Sequence, residues 1–424
     1  MYGFVLFYWC VALLCGALSA LWILQTCEHW RYVRGRVRGA KRYAWDPHLA
    51  VFVPCKGTDE DLETNLRPLF EQDHADYELV FVVESEGDAA FGEIDRLIAQ
   101  YPHIAAKIVV AGVTTAEGQK VHNLLAATRE LNPRTDALVF VDADVRPAPD
   151  WLDQLTERLD HCAAATGYRW FVPKRPSLAN HLLSSINASM VPFMFPGRHN
   201  KVWGGSWAVR RDVFEEMKLR DAWRGTLSDD LVAGHVLAQS KARIAMEPTC
   251  IVPSPVDVDM RAMFSFIRRQ YLIGRVYAPR LWMIAFAHAL LSQLFLWGSA
   301  VAAAWGLASG AAWTWQPLTA TVTFYGLHVV RGVLRQRAAR HFPISECKEL
   351  AAWRRFDIWC WPLAALAAFS GLISSALGGR IVWRGICYEM GRGGQIRRIT
   401  WPSQEVWAPA VERDLNPAGQ QVAA

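Results

Sequence analysis

The run Leu138-Val139-Phe140-Val141-Asp142-Ala143-Asp144 ends a strand-forming apolar stretch in two carboxylates one residue apart. Alternate side chains of an extended chain share a face, so Asp142 and Asp144 point together into the crevice beyond the strand. Paired hard oxygen ligands of this kind suit Mg2+ or Mn2+ bridging a diphosphate, where the ion stabilises charge growing on a departing nucleotide. A second acidic pair, Ser228-Asp229-Asp230, stands at the head of the apolar run Leu231–Leu237 and so near a helix N-terminus. That pair admits two readings. Ser228 and Asp229 are suited to capping the helix, in which case losing Asp230 costs about 1 kcal/mol and little else. In the other reading Asp230 takes the proton of an attacking hydroxyl, which needs one accessible carboxylate.

Such groups need a rigid frame, and the surrounding pattern supplies one. Leu49–Pro54, Tyr77–Val83, Ala106–Val110 and Ala137–Val141 read as short strands, alternating with helical spacing over Glu60–Gln72, Phe91–Tyr101 and Lys120–Leu131. The alternation predicts a mostly parallel sheet covered on both faces, with ligands at the carboxyl ends of its strands. Ahead of it, Tyr2–Gln25 carries no charge and is long enough to cross a bilayer core of roughly 30 Å, without the basic head or cleavage site of a signal peptide. Arg31, Arg34, Arg36, Arg38, Lys41 and Arg42 follow, which places the N-terminus outside and the next domain in the cytoplasm.

Three further apolar stretches, Leu281–Ala308, Leu318–Val330 and Ile358–Leu377, predict at least two more spans. Basic residues from Arg331 to Arg355 and again from Arg380 to Arg398 both ask for the cytoplasm, yet one of these stretches separates them. Either one segment is interfacial or re-entrant, or the tail lies outside. The resulting division is a membrane anchor at 1–27, a basic linker at 28–47, the α/β domain at 48–280, a membrane region at 281–378 and a tail at 379–424, frayed from Pro417.

Composition agrees with a mixed protein: 52% hydrophobic residues and 20 tryptophans exceed a soluble domain, while 20% charged residues exceed a membrane bundle. The formal charge of +5 collects in blocks beside apolar segments, a distribution that fits an anionic membrane surface and not nucleic acid. Nine cysteines without paired spacing read as reduced packing residues.

Several motifs occur in order: Val53-Pro54-Cys55-Lys56-Gly57, Val82-Val83-Glu84-Ser85, Gly118-Gln119-Lys120-Val121-His122-Asn123, Val141-Asp142-Ala143-Asp144, Trp203-Gly204-Gly205-Ser206 and Leu227-Ser228-Asp229-Asp230. Together they resemble the family-2-type glycosyltransferases with a GT-A (Rossmann-like) fold, and within these the ceramide glucosyltransferase-like branch, over roughly residues 48–280. The resemblance implies an inverting transfer of a hexose, glucose foremost, from a UDP-sugar to a membrane lipid such as ceramide. It implies Lys56, Glu84, Lys120, Asn123 and Asp142 at the nucleotide and diphosphate, Mg2+ or Mn2+ on Asp142 and Asp144, and Asp230 as the base. A like charge on Asp229 is expected to raise the proton affinity of Asp230.

Two departures stand out. The first acidic motif, an aspartate in the family, is Glu84-Ser85 here with Asp88 further on. The family's Arg-Trp signature is replaced by Phe266-Ile267-Arg268-Arg269-Gln270-Tyr271 and then Arg275. Arg268 or Arg269, with Gln270 beside them, still suits a leaving diphosphate, and a juxtamembrane lipid contact is the other reading. Trp203, Gly205, Ser206 and Asp229 are expected near the acceptor and sugar, with Trp203 to Trp207 as an aromatic platform. The apolar stretch Leu182–Phe195 is either core or an interfacial element guiding a lipid hydroxyl. His74, His122, His181 and His199 lack ligand spacing. A processive polysaccharide synthase and a non-enzymatic membrane scaffold are the rival readings.

Overall fold

The computed structural model describes residues 2–38, 45–58, 61–197 and 200–401. Lys41, Arg42, His199 and the tail beyond 401 lie outside them. Helix α1 (Tyr2–Arg38) leads into β1 (Leu49–Pro54), α2 (Leu62–Phe70), β2 (Tyr77–Val83), α3 (Ala89–Gln100), β3 (Ala105–Val110), α4 (Gln119–Ala127) and β4 (Ala137–Val141), the expected alternation. Next come α5 (Trp151–Thr156), β5 (Ala164–Pro173), α6 (Leu178–Met190), β6 (Ser206–Arg210), α7 (Arg211–Glu216), α8 (Leu219–Trp223), α9 (Asp229–Gln239) and β7 (Ile244–Val256). These seven strands form one sheet in the order β3-β2-β1-β4-β6-β5-β7.

The sheet is an α/β sheet of the expected class, parallel from β3 to β4, with β6 antiparallel to both of its neighbours. Strands β1 and β4 are unbroken apolar runs because helices bury them on both faces. One face packs Leu66, Leu97 and Trp151, and the other Val121, Leu124, Trp207 and Trp223. Trp207 is fully buried and stacks on Phe140 at 4.6 Å, so it belongs to the core and not to an aromatic platform at the surface. The chain leaves β1 toward β2 on one side and returns to β4 on the other, which opens a crevice at the carboxyl ends of β1 and β4.

The C-terminal part contains α10 (Met260–Tyr277), α11 (Pro279–Ser309), α12 (Trp315–Ala339), α13 (Leu350–Trp359), α14 (Trp361–Ala376), and an antiparallel sheet of β8 (Arg380–Trp383), β9 (Ile386–Met390) and β10 (Ile396–Thr400). Among the described residues, the segment Val5–Arg38 of α1 and the whole of α11 are long and apolar enough to cross a membrane. Leu6, Phe7, Leu13 and Leu21 on α1, and Ile284, Leu294, Val301 and Trp305 on α11, are exposed, as lipid-facing residues are. Helices α13 and α14 meet at a bend of 81° and would make a third span only as a broken pair. The apolar stretch Leu318–Val330 lies inside α12, which is long but, with Thr319, Thr321, Thr323 and His328 among its residues, not among the helices apolar enough to cross a membrane. Arg331, Arg335 and Arg337 lie in the same helix, and Arg335 makes a buried two-pronged pair with Asp357 of α13 at 2.7 and 3.1 Å.

The expected linker at 28–47 is helical through Arg38. Arg36 turns inward, where its guanidinium pairs with Glu157 and, at 2.7 Å, with the buried Glu247 of β7. One member of the basic block thus fastens α1 to the α/β domain. Likewise α6 is core on its inner face, while Phe193 just beyond it meets Trp22 of α1 edge-on at 5.2 Å.

Candidate active site

Pairing between β4 and β6 ends at Val141 and Ser206, which lays the Trp203-Gly204-Gly205 loop against the first residue beyond β4. There Asp142 donates its backbone N–H to Gly205 O at 3.3 Å. Glycine is required at 205, because a Cβ would stand 2.3 Å from the Trp203 ring and 2.7 Å from Asp142 Oδ2. Lys120, in the first turn of α4, reaches the same point from the opposite side. Its Nζ donates to Asp142 Oδ1 at 2.7 Å and Gly204 O at 3.1 Å, and lies 3.4 Å from Asp229 Oδ1. Burial alone would lower the lysine pKa, but Asp142, Asp229 and Asp230 outweigh it and raise the pKa above its ordinary value.

Asp229 and Asp230 open α9. Capping falls to Ser228 and Asp230: Leu231 N–H donates to Ser228 Oγ at 3.4 Å and to Asp230 Oδ1 at 2.7 Å. Asp230 also accepts from Ser228 Oγ at 2.5 Å and, through Oδ2, from Gly204 N–H at 3.0 Å, and it stays half-buried. Asp229 does not cap; it is buried toward Lys120, and its Oδ2 has no hydrogen-bond partner. Burial pushes its carboxyl up to about 7, with Lys120 opposing and Asp230 and Asp142 adding to the rise. The like-charge effect foreseen from adjacent aspartates is carried by Asp229, the carboxylate that α9 buries.

Asp144 forms the opposite wall. Its Oδ2 accepts from Arg169 of β5 at 3.1 Å, and its Oδ1 is buried without a partner. Arg169 lies over the rings of Phe171 and Trp203 at 5.1 and 5.2 Å. Arg269 of α10 lies between Phe266 and Trp383 at 5.1 and 5.6 Å, and burial together with Arg169 and Arg384 pushes it down to about 10. These groups surround a cavity of about 300 Å³. Lys56 and Gly57 line it beyond β1, Gln119, Lys120 and Asn123 from α4, Asp142 and Asp144 beyond β4, and Arg269 and Gln270 from α10.

Other expected residues stand at its margin or away from it. Glu84 pairs with Lys56, while Asp88 caps α3 through Ala90 N–H at 2.9 Å and also accepts from Gly57 N–H at 2.8 Å. Arg268 points away, donating to Arg380 O and Leu377 O at 3.3 and 3.2 Å. Ser206 is fully buried, its Oγ taking the Trp151 indole N–H at 3.0 Å. Trp203 borders the carboxylates and packs edge-on against Tyr168 at 5.5 Å. His74, His122 and His181 are each engaged separately, by Asp153, Glu117 and Phe356. Among the described residues no three His, Cys, Asp or Glu side chains are grouped to hold a metal ion. Asp142 and Asp144 can supply two hard oxygen donors, one of them the unpartnered Asp144 Oδ1, and any further donors have to come from a ligand.

Arg169, Trp383, Arg384, Ile386 and Tyr388 line the cavity without having been singled out in the sequence. Arg169 left a trace, a lone charge within the strand-forming run Ala164–Pro173. The hairpin residues left none, being submerged in a basic tail.

Glycosyl transferase family 21 matches residues 11–396. The chain belongs to this family. Among curated proteins it is similar to ceramide glucosyltransferase 1 of Caenorhabditis elegans, 33% identical over 27% of this chain and 24% of that protein. Ceramide glucosyltransferase of Komagataella phaffii is 26% identical over 33% of this chain and 28% of its own length. Ceramide glucosyltransferase 3 of C. elegans is 24% identical over 50% of this chain and 48% of its length, so the chain spans about half or less of these relatives. A solved mannosyltransferase from Pyrobaculum calidifontis, in complex with GDP-Man and Mn2+, is 18% identical with a TM-score of 0.46, covering 86% of this chain and 97% of that one.

The pKa raised at Asp229 sets a pH dependence for family 21's member here. A carboxyl that ionises at 3.8 when unfolded and at about 7 when folded contributes stability that is full below about pH 4 and lost as pH rises through 7. Thermal midpoints of the wild type and Asp229→Asn, compared at pH 5 and pH 8, should therefore shift in favour of the variant at the higher pH. An unchanged gap between them contradicts the assignment.

Proposed function

We propose that this family 21 member transfers a hexose, glucose foremost, from a UDP-sugar to a hydroxyl of a membrane lipid such as ceramide, with inversion at the anomeric carbon. The observation that carries the proposal is the cavity itself. It brings together two carboxylates suited to a cation, Asp142 and Asp144, and two guanidinium groups suited to phosphate oxygens, Arg169 and Arg269, while the half-buried Asp230 stands beyond the lysine that pairs with Asp142. The ceramide glucosyltransferases among its relatives support the acceptor class. Helix α10, which carries Arg269 and Gln270, runs directly into α11, so a lipid lying at the membrane surface has a short path to the site.

In this reading Lys56, Glu84 and Asn123 border the nucleotide, and Arg169, Arg269 and Gln270 meet the diphosphate. Asp142 and Asp144 hold Mg2+ or Mn2+, which when bound neutralises diphosphate charge. Lys120 keeps Asp142 in place while holding Asp229 and Asp230 close. The acceptor oxygen bonds to the anomeric carbon as the bond to the diphosphate oxygen breaks, and Asp230 takes the acceptor proton. Gly204 N–H and Ser228 Oγ orient that carboxylate, and Trp203 flanks the sugar. A single displacement needs no protein nucleophile, which is why the product is β-linked from an α-linked donor.

The orientation proposed is N-terminus outside and catalytic domain in the cytoplasm, where nucleotide sugars are made. A reporter inserted after residue 45 should then be unreachable by an impermeant label on intact cells, and external labelling there overturns it.

The function itself is tested by incubating purified protein with a panel of UDP-sugars and a lipid extract, followed by mass spectrometry and NMR. The expected product is a β-linked monohexosyl lipid, lost in excess chelator. Asp230→Asn should reduce transfer roughly 10²–10⁴-fold while donor binding persists. A polymer, an α-linkage or near-normal turnover by Asp230→Asn contradicts the proposal.

A further inference from the structure

The small C-terminal sheet is fastened to both elements that carry the carboxylate cluster. Tyr388 of β9 receives the Gln119 N–H at 3.1 Å, at the start of the helix that bears Lys120. Ile396 N–H donates to Gly225 O at 2.9 Å, just ahead of Ser228. Tyr277 Oη links the two, accepting Leu227 N–H at 2.7 Å and donating to Gly394 O at 2.7 Å. A tail with no part in the site has no reason to be registered against both of these segments.

Its β8–β9 hairpin turns through two residues, Arg384 and Gly385, with φ of 49° and 81°. A two-residue turn with both φ positive is the type I′ hairpin turn, whose first position favours Asn, Asp or Gly because an ordinary side chain is strained there. An arginine at that position is a local cost to the fold. Strained positions of this kind cluster where a side chain is needed for binding. At the tip of the hairpin Arg384 lines the same cavity as Lys56, Asp142 and Asp144, close enough to Arg269 to act on its charge.

We propose that Arg384 is a donor-binding residue: the hairpin carries its guanidinium to the cavity, where with Arg169 and Arg269 it completes a three-arginine clamp for the diphosphate of the nucleotide donor. The inference rests on reading the cavity as a donor site. It accounts for an arginine in a conformation that costs the fold, and for three guanidinium groups placed around one cavity that also holds Asp144. Trp383, the residue before it, lies under the Arg269 guanidinium at 5.6 Å and so ties the hairpin to a second fork. The C-terminal sheet is then a working wall of the site.

Arg384→Asn separates this role from a structural one, because asparagine suits the turn better than arginine does. Detergent-solubilised full-length protein is titrated with UDP and, separately, with inorganic pyrophosphate, each with Mg2+, and the thermal midpoint without ligand is recorded. The expected result is a midpoint unchanged or raised, with affinity for both probes reduced at least about tenfold. Arg384→Lys, which keeps the charge and loses the fork, should fall between the two. Unchanged binding by Arg384→Asn overturns the clamp and leaves the donor site standing. A clearly lowered midpoint also overturns it, since the arginine then serves the fold. Wild-type protein that binds neither probe removes the donor-site reading, and the clamp with it.

Discussion

Lys120 is the interaction on which the site depends. A largely buried ammonium among Asp142, Asp229 and Asp230 pairs with carboxylates supplied by the end of β4 and by the first turn of α9. Without that positive charge, three acidic groups would crowd one low-dielectric pocket, and at least one would leave it or take a proton. One lysine does not balance three carboxylates, and the excess is relieved at Asp229, the most deeply buried of them. The geometry also depends on what is missing. Gly205 leaves room for Asp142 and the Trp203 ring to stand side by side, and Gly204 lets Lys120 and the α9 carboxylates approach the same backbone.

Around this cluster the architecture serves position. Strand β6 runs against β4, and that reversal carries the Trp203-Gly204-Gly205 loop back to the carboxyl end where Asp142 emerges. A wholly parallel sheet would have placed the loop at the opposite edge. Helix α1 is tied to the α/β domain by Arg36 with Glu157 and Glu247 and by Val33 packed among Trp170, Met246 and Ile251, so the cavity-bearing domain and this long apolar helix form one unit.

Much of this was legible in the sequence, for physical reasons that also mark where legibility stopped. Periodicity located β1, β2 and β4 to the residue because buried strands need continuous apolar runs. The cavity contains Lys56, Lys120, Asn123, Asp142 and Asp144, each of which stood in a recognisable local motif, and Arg269 and Gln270, which stood out only as charged and polar residues where the Arg-Trp signature is replaced. Ser206 and Trp207 misled because the same Gly-Gly-Ser-Trp motif that bends toward the site immediately enters a central strand, whose side chains are core. Arg268 and Arg269 looked equivalent, and only the helical phase of α10 sends one to the cavity and the other to the end of α14. The C-terminal hairpin was unreadable since its partners lie more than a hundred residues away, and a basic tail beside apolar helices has a ready explanation in the membrane surface.

The central claim, that Lys120 holds the acidic cluster together, is tested most directly by a double-mutant cycle on stability between Lys120→Met and Asp142→Asn. Coupled groups in one buried network show interaction energies of roughly 0.5–3 kcal/mol. The account predicts a coupling above about 1 kcal/mol, with the lysine substitution the more damaging of the two because it leaves the carboxylates without their shared counter-charge. Additive effects of the two substitutions would contradict it.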